Sequence, residues 1–155
     1  MKINLTINKR KKSVDVPANR TLMDLLRSMG LWSVKHGCET GDCGSCTVLV
    51  NGQTAYSCLM LAAQAQNKNI ETFEAVSDSE PLSPLKDMFM DYIDLDCSFC
   101  LAGFMLSIKA LLDKNPEPTE EEIVDALSGV ICRCSKKPPP VDAMMKAIKK
   151  IRGNW

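Results

Sequence analysis

Cysteine placement constrains this chain more than any other feature: eight cysteines in 155 residues fall into two sets of four, with none left over. The first set, Cys38, Cys43, Cys46 and Cys58, is spaced C-x4-C-x2-C-x11-C. The second, Cys97, Cys100, Cys132 and Cys134, is spaced C-x2-C-x31-C-x-C. Scattered core cysteines would have no reason to divide four and four, so the arithmetic favours two four-thiolate sites. Compartment and spacing decide among disulfides, zinc and an electron-carrying cluster. The chain starts MKINLTINKR, without the apolar segment and small-residue cleavage site of a secretory leader. No apolar run approaches the ~18 residues of a membrane span. A cytoplasmic location is expected, and cytoplasmic thiols are kept reduced, which sets structural disulfides aside.

Zinc sites commonly pair two short C-x2-4-C knuckles. The first set instead draws three cysteines from the nine-residue loop CETGDCGSC and a fourth from beyond the next hairpin. That matches the plant-type [2Fe–2S] spacing, C-x4-C-x2-C with a distant cysteine. A two-iron cluster is elongated, so a loop wraps one side and a separate element reaches the other. Gly37, Gly41 and Gly44 let such a loop bend sharply and bring backbone amides toward the sulfurs. The single histidine, His36, is expected to be a loop residue rather than a ligand. In the second set, each cysteine pair borders an expected helix end, so two helix termini can face one metal centre. A C-x-C pair is unusual for zinc, but spacing alone leaves both iron–sulfur and zinc open there.

The remainder of the sequence divides as the cysteines do. Ile3, Leu5 and Ile7 alternate with polar residues, as do Val14 and Val16, and the basic run Lys9-Arg10-Lys11-Lys12 between them reads as a solvated hairpin turn. Thr21 reads as the N-cap of a helix carrying Leu22, Leu25, Leu26 and Met29, with Gly30 as the stop. TVLVNGQTAYSC reads as two strands about Asn51-Gly52, and Ile70 to Phe73 as a last strand. A polar, proline-containing stretch follows. Beyond it, helical periodicity takes over through Leu85, Met88, Phe89 and Tyr92; through Phe104, Ile108, Leu111 and Leu112; through Ile123, Val124, Ala126, Leu127 and Val130 after a Thr119–Glu122 capping box; and through Val141, Met144, Met145, Ile148 and Ile151. Most of the nine methionines fall on these apolar faces, where packing explains them.

The expected fold class is α+β, a β-sheet domain over 1–75, a linker at 76–84 and an all-α domain of about four helices over 85–155. Cores this small are marginal below about 80 residues and benefit from a metal staple. Charge is balanced, 19 basic against 19 acidic residues, which gives no electrostatic footprint for nucleic acid.

Taken together, KHGCETGDCGSCTVLVNG, Cys58, CSFCLAGF and ICRC, in that order, resemble the small iron–sulfur subunit of the molybdenum hydroxylases, the xanthine dehydrogenase and aldehyde oxidoreductase family. The resemblance runs from about residue 3 to 148. It implies a β-grasp ferredoxin-like domain followed by a four-helix domain, each with one [2Fe–2S] cluster. It also implies a large partner subunit binding molybdopterin and a medium subunit binding FAD. On that pattern the cluster of Cys97, Cys100, Cys132 and Cys134 faces molybdenum, and that of Cys38, Cys43, Cys46 and Cys58 faces the flavin. The resemblance further implies that the subunit itself makes and breaks no substrate bond. Three stretches depart from the family pattern: Asp96 stands for a pterin-touching Gln, with Ser98 for a glycine; Ser135-Lys136-Lys137 stands for Thr-Gly-Tyr; Gly129-Val130-Ile131 stands for Gly-Asn-Leu. An ionised carboxylate accepts hydrogen bonds but cannot donate them. A divergent complex with an altered or absent pterin contact is therefore one alternative, and a zinc-stapled interaction module is another.

Overall fold

A computed structural model describes residues 1–77, 82–92, 97–134 and 140–152. Asp96, Ser135, Lys136, Lys137 and part of the expected linker lie outside them. Strands β1 (Lys2–Ile7) and β2 (Arg10–Asp15) pair antiparallel about Asn8 and Lys9, whose φ angles are 48 and 66. Two successive positive-φ residues give the twist a two-residue hairpin needs. Only Lys9 of the basic run is therefore in the turn. Arg10, Lys11 and Lys12 lie along β2, an exposed edge strand, where charge discourages pairing with another chain.

Helix α1 (Leu22–Ser28) starts as expected, with the Thr21 hydroxyl accepting from the Asp24 amide at 3.0 Å. It ends where Gly30, at φ 83, donates to the Arg27 carbonyl and Leu31 to that of Leu26. Strands β3 (Thr47–Val50) and β4 (Gln53–Tyr56) turn about Asn51-Gly52, and β5 (Asn69–Glu71) completes a mixed sheet in the order β2-β1-β5-β3-β4. β1 and β5 run parallel. The last strand is shorter than expected, because the Thr72 amide donates to the Asn8 side chain at 2.9 Å instead of extending the ladder. Phe73–Val76 then forms a short helix, α2.

The second half comprises α3 (Ser83–Tyr92), α4 (Leu101–Lys114), α5 (Glu120–Leu127) and α6 (Val141–Arg152). Thr119 and Glu122 form the capping box expected for α5. Helix α3 packs on α6 and α4 on α5. Phe89 and Phe104 stack at the centre of this half, ring centroids 5.7 Å apart.

Two apolar cores result, and β3 belongs to both. Val48 joins Leu22, Leu26 and Ile70 beneath α1, while Leu49 joins Phe104, Met105 and Ile108 of α4. Both β3 side chains are fully buried because neighbouring strand residues point to opposite faces. The sheet thus lies between α1 and α4, each such side chain stabilising the fold by about 1.5–3 kcal/mol. Lys109 of α4 reaches Glu71 of β5 at 3.5 Å, adding a polar tie between the halves. This apposition brings the cysteine-bearing ends of both halves together.

Candidate metal centres

The first cysteine set is assembled by the loop between α1 and β3 and by the hairpin after it. Thr47 pairs with Tyr56 across the hairpin, so Cys46 and Cys58 fall just beyond that pair. Their sulfurs are 3.3 Å apart. The Ser57 hydroxyl donates to the Cys46 carbonyl at 2.7 Å and fixes the approach. On the other side of the site, Cys38 is hydrogen-bonded to the backbone and side chain of Cys43, which brings its thiol down to about 7 against the opposing effect of desolvation. Burial, followed by the hydrogen bond and charge of Cys46, pushes the Cys58 thiol up to about 12.

Cys43 is buried, and the Ser45 amide points at its sulfur from 3.5 Å. Gly37 sits so close that a Cβ there would stand 2.9 Å from that sulfur. It is a glycine for want of space; Gly41, against Leu59, and Gly44, against Gly129, are crowded too and in addition have positive φ. His36 lies on the exposed loop with Nε2 3.0 Å from Glu39.

The second set sits at the junction of α4 and the turn after α5. Cys100 is the N-cap residue of α4, which begins at Leu101, and Cys97 precedes it. Cys132 and Cys134 follow α5, which ends at Leu127. Cys100 and Cys132 are buried, Cys97 is partly exposed and Cys134 exposed. Burial, then the hydrogen bond and charge of Cys132, pushes the Cys100 thiol up to about 12. The N-terminus of α4 directs its partial positive charge at this site, which favours a negatively charged occupant.

None of the eight cysteines, all of them among the described residues, is in a disulfide. Among the described residues no three histidine, cysteine or acidic side chains converge as ligands of one ion would. The thiols instead come in close pairs: Cys38 with Cys43, Cys46 with Cys58, and Cys100 with Cys132. Pairs suit a binuclear centre, in which each iron takes two protein ligands. Thiols raised by burial give up their protons when a metal binds. The donor chemistry, the amide aimed at Cys43 and the space left by Gly37 therefore fit a [2Fe–2S] cluster at the first site. At the second, the close Cys100–Cys132 pair beside Cys97, at the N-terminus of α4, fits one as well.

Two contacts joining these sites have no signature in the sequence. The Ile131 amide donates to the Cys43 carbonyl at 2.9 Å. The Tyr56 hydroxyl donates to the Gly129 carbonyl at 2.6 Å. Burial first, then the neighbouring Cys46, Cys43 and Cys58, raises the Tyr56 pKa, so the phenol stays a donor.

Family comparison agrees with this chemistry. A 2Fe-2S iron–sulfur cluster binding domain matches residues 5–72, and a [2Fe-2S] binding domain matches residues 72–145. The nicotine 6-hydroxylase small subunit of Paenarthrobacter nicotinovorans is 45% identical over 148 residues, covering 95% of this chain and 89% of that protein. The nicotinate dehydrogenase small FeS subunit of Eubacterium barkeri is 46% identical over 134 residues, covering 86% and 85%. The chain belongs to the iron–sulfur subunits of the molybdenum hydroxylases. As such a subunit it is the electron-transfer component of a molybdenum-dependent oxidoreductase.

Solved structures bear out the α+β, ferredoxin-like plus helical fold of this iron–sulfur subunit. Quinoline 2-oxidoreductase from Pseudomonas putida 86 matches with a TM-score of 0.85 and 38% identity, over 99% of this chain and 96% of that one. Aldehyde oxidoreductase from Desulfovibrio gigas also matches at 0.85, with 34% identity, but there the subunit covers only 18% of a longer chain. The same fold thus occurs both as a small subunit and inside a larger polypeptide.

Proposed function

We propose that this subunit carries two [2Fe–2S] clusters and relays electrons from a molybdopterin centre in a large subunit to FAD in a medium subunit. Cys38, Cys43, Cys46 and Cys58 would hold one cluster, and Cys97, Cys100, Cys132 and Cys134 the other. The proposed division is a ferredoxin-like domain at 1–75, a linker at 76–84 and a helical domain at 85–155, in a cytoplasmic hetero-oligomer. The observation that carries the relay is the hydrogen bond from Ile131 to the Cys43 carbonyl. Cys43 belongs to one site, and Ile131 is the neighbour of Cys132 in the other. One hydrogen bond and a few covalent bonds therefore connect the two ligand sets.

A [2Fe–2S] cluster, when bound, takes up and passes on single electrons. The chain's own residues supply the rest. Burial of Cys43, Cys46, Cys100 and Cys132 keeps water from one side of each site, while exposure of Cys134 and partial exposure of Cys38 leave each site an outward-facing edge. The Ser45 amide stabilises negative charge on the Cys43 sulfur. Among the described residues no helix is long and apolar enough to cross a membrane. The relatives named for nicotine and nicotinate, and the quinoline enzyme, support an N-heteroaromatic substrate for the complex, selected in a partner's pocket.

Anaerobically purified protein is expected to be red-brown, with about four iron and four acid-labile sulfide per chain. Colourless protein holding zinc would overturn the redox assignment. Isolation of the native complex tests the partners: molybdenum, pterin and flavin are expected, and a complex without molybdenum refutes the relay as stated.

A further inference from the structure

The two cysteine sites meet at a joint made almost wholly of backbone. At Gly44, φ +70, a Cβ would land on the Gly129 carbonyl and stand 2.9 Å from Val130 Cα. At Gly103, in the first turn of α4, a Cβ would stand 2.7 Å from the Gly44 carbonyl oxygen. The cysteine loop therefore rests directly on both helix ends that carry the second set. Glycine at 44 and 103 permits this closeness but does not enforce it. Enforcement needs a directional contact across the joint.

Tyr56 provides one. It ends β4 opposite Thr47, so the hairpin that delivers Cys58 to Cys46 also delivers this side chain. Its hydroxyl donates to Gly129 at 2.6 Å, across 73 residues of sequence. Gly129 has room for that hydroxyl only because it lacks a side chain, since a Cβ would stand 2.6 Å from the Tyr56 oxygen. Two residues on, the Ile131 amide meets the Cys43 carbonyl. We propose that Tyr56 is the positioning residue of this joint: its bond to Gly129 holds Val130–Ile131 against Cys43–Gly44 and so sets the coupling between the two metal sites. The proposal rests on the cluster assignment above, and the experiment separates the two.

The full chain is purified anaerobically as wild type, Tyr56→Phe, Gly129→Ala and the double variant. Iron and sulfide are assayed, and the fully reduced protein is examined by EPR. Wild type is expected to show two signals split by their magnetic interaction. Tyr56→Phe is expected to keep its iron, sulfide and both signals while the splitting narrows or is lost. Gly129→Ala should do the same with the tyrosine intact, because its methyl displaces the hydroxyl. In the double variant that methyl would face a ring carbon at 3.7 Å, an ordinary contact, so the double should look like Tyr56→Phe alone. Loss of stability with unchanged splitting in the iron-loaded variants would overturn the positioning role and leave Tyr56 merely structural. Additive losses in the double variant would overturn it too. If Tyr56→Phe fails to load iron, Gly129→Ala decides alone, by the same splitting. A wild-type chain without iron overturns the cluster assignment itself.

Discussion

The two cysteine sites are built by opposite means. The first is local: its four cysteines span 21 residues from Cys38 to Cys58, and one loop and one hairpin register bring them together. The second spans 38 residues from Cys97 to Cys134 and exists only because α4 packs on α5. Backbone hydrogen bonds and glycine geometry shape the first. Apolar packing shapes the second, through Phe104, Ile123 and Leu127 beside Cys100 and Cys132 in one buried cluster. A site made by a hairpin should tolerate core damage elsewhere, while a site made by helix packing should not.

The strongest test removes one ligand from each. Cys43→Ser is expected to halve the iron from about four to about two per chain and to erase one EPR signal. Cys100→Ser should erase the other. Either substitution removing both signals would break the comparison, since it would show that the sites assemble as one unit. A smaller effect is expected from the core. Phe104 is buried against Phe89, and Phe104→Ala should cost about 3–5 kcal/mol. Followed by EPR during urea unfolding, the second signal should disappear at lower denaturant than the first. The reverse order would show that packing is not what maintains the second site.

The smallest expected effect concerns pH. Burial raises the Glu74 pKa, but hydrogen bonds from the Ser33 and Thr72 hydroxyls and the Ser33 amide outweigh it and hold the carboxyl below its ordinary range. Glu74 thereby ties the chain after α1 to the start of α2. A carboxyl depressed in the folded state contributes stability that is fully present above its unfolded value, near 4.5. That contribution fades as pH falls through the folded value. The stability difference between wild type and Glu74→Gln should therefore be constant at neutral pH and shrink below about 4.5. A difference that persists unchanged into acid would assign the effect to packing rather than charge.

Features encoded by neighbouring residues could be read without a structure. Thr21 and Thr119 marked helix starts because a cap needs only its own first turn, and Asn51-Gly52 marked a hairpin because its dihedral angles are local. The basic run lies mostly in β2 rather than in the turn, because Asn8 and Lys9 take the two turn positions and strand character persists through Arg10–Lys12. The local pattern predicts strand through Phe73, yet its fate depends on Asn8 capturing the Thr72 amide from 64 residues away. Nothing in the local pattern announces that.

The sequence alone carries the thiols: two sets of four cysteines, the first with the loop spacing typical of a two-iron site. Thiolate chemistry depends on residue type and short spacing, which the chain carries openly. Tertiary structure alone decided how the sites relate. Leu49 facing α4, Gly44 lying on Gly129 and Tyr56 reaching across the joint all depend on the sheet settling between α1 and α4. Those contacts join residues far apart in the chain, and only burial of both faces of one strand brings them together.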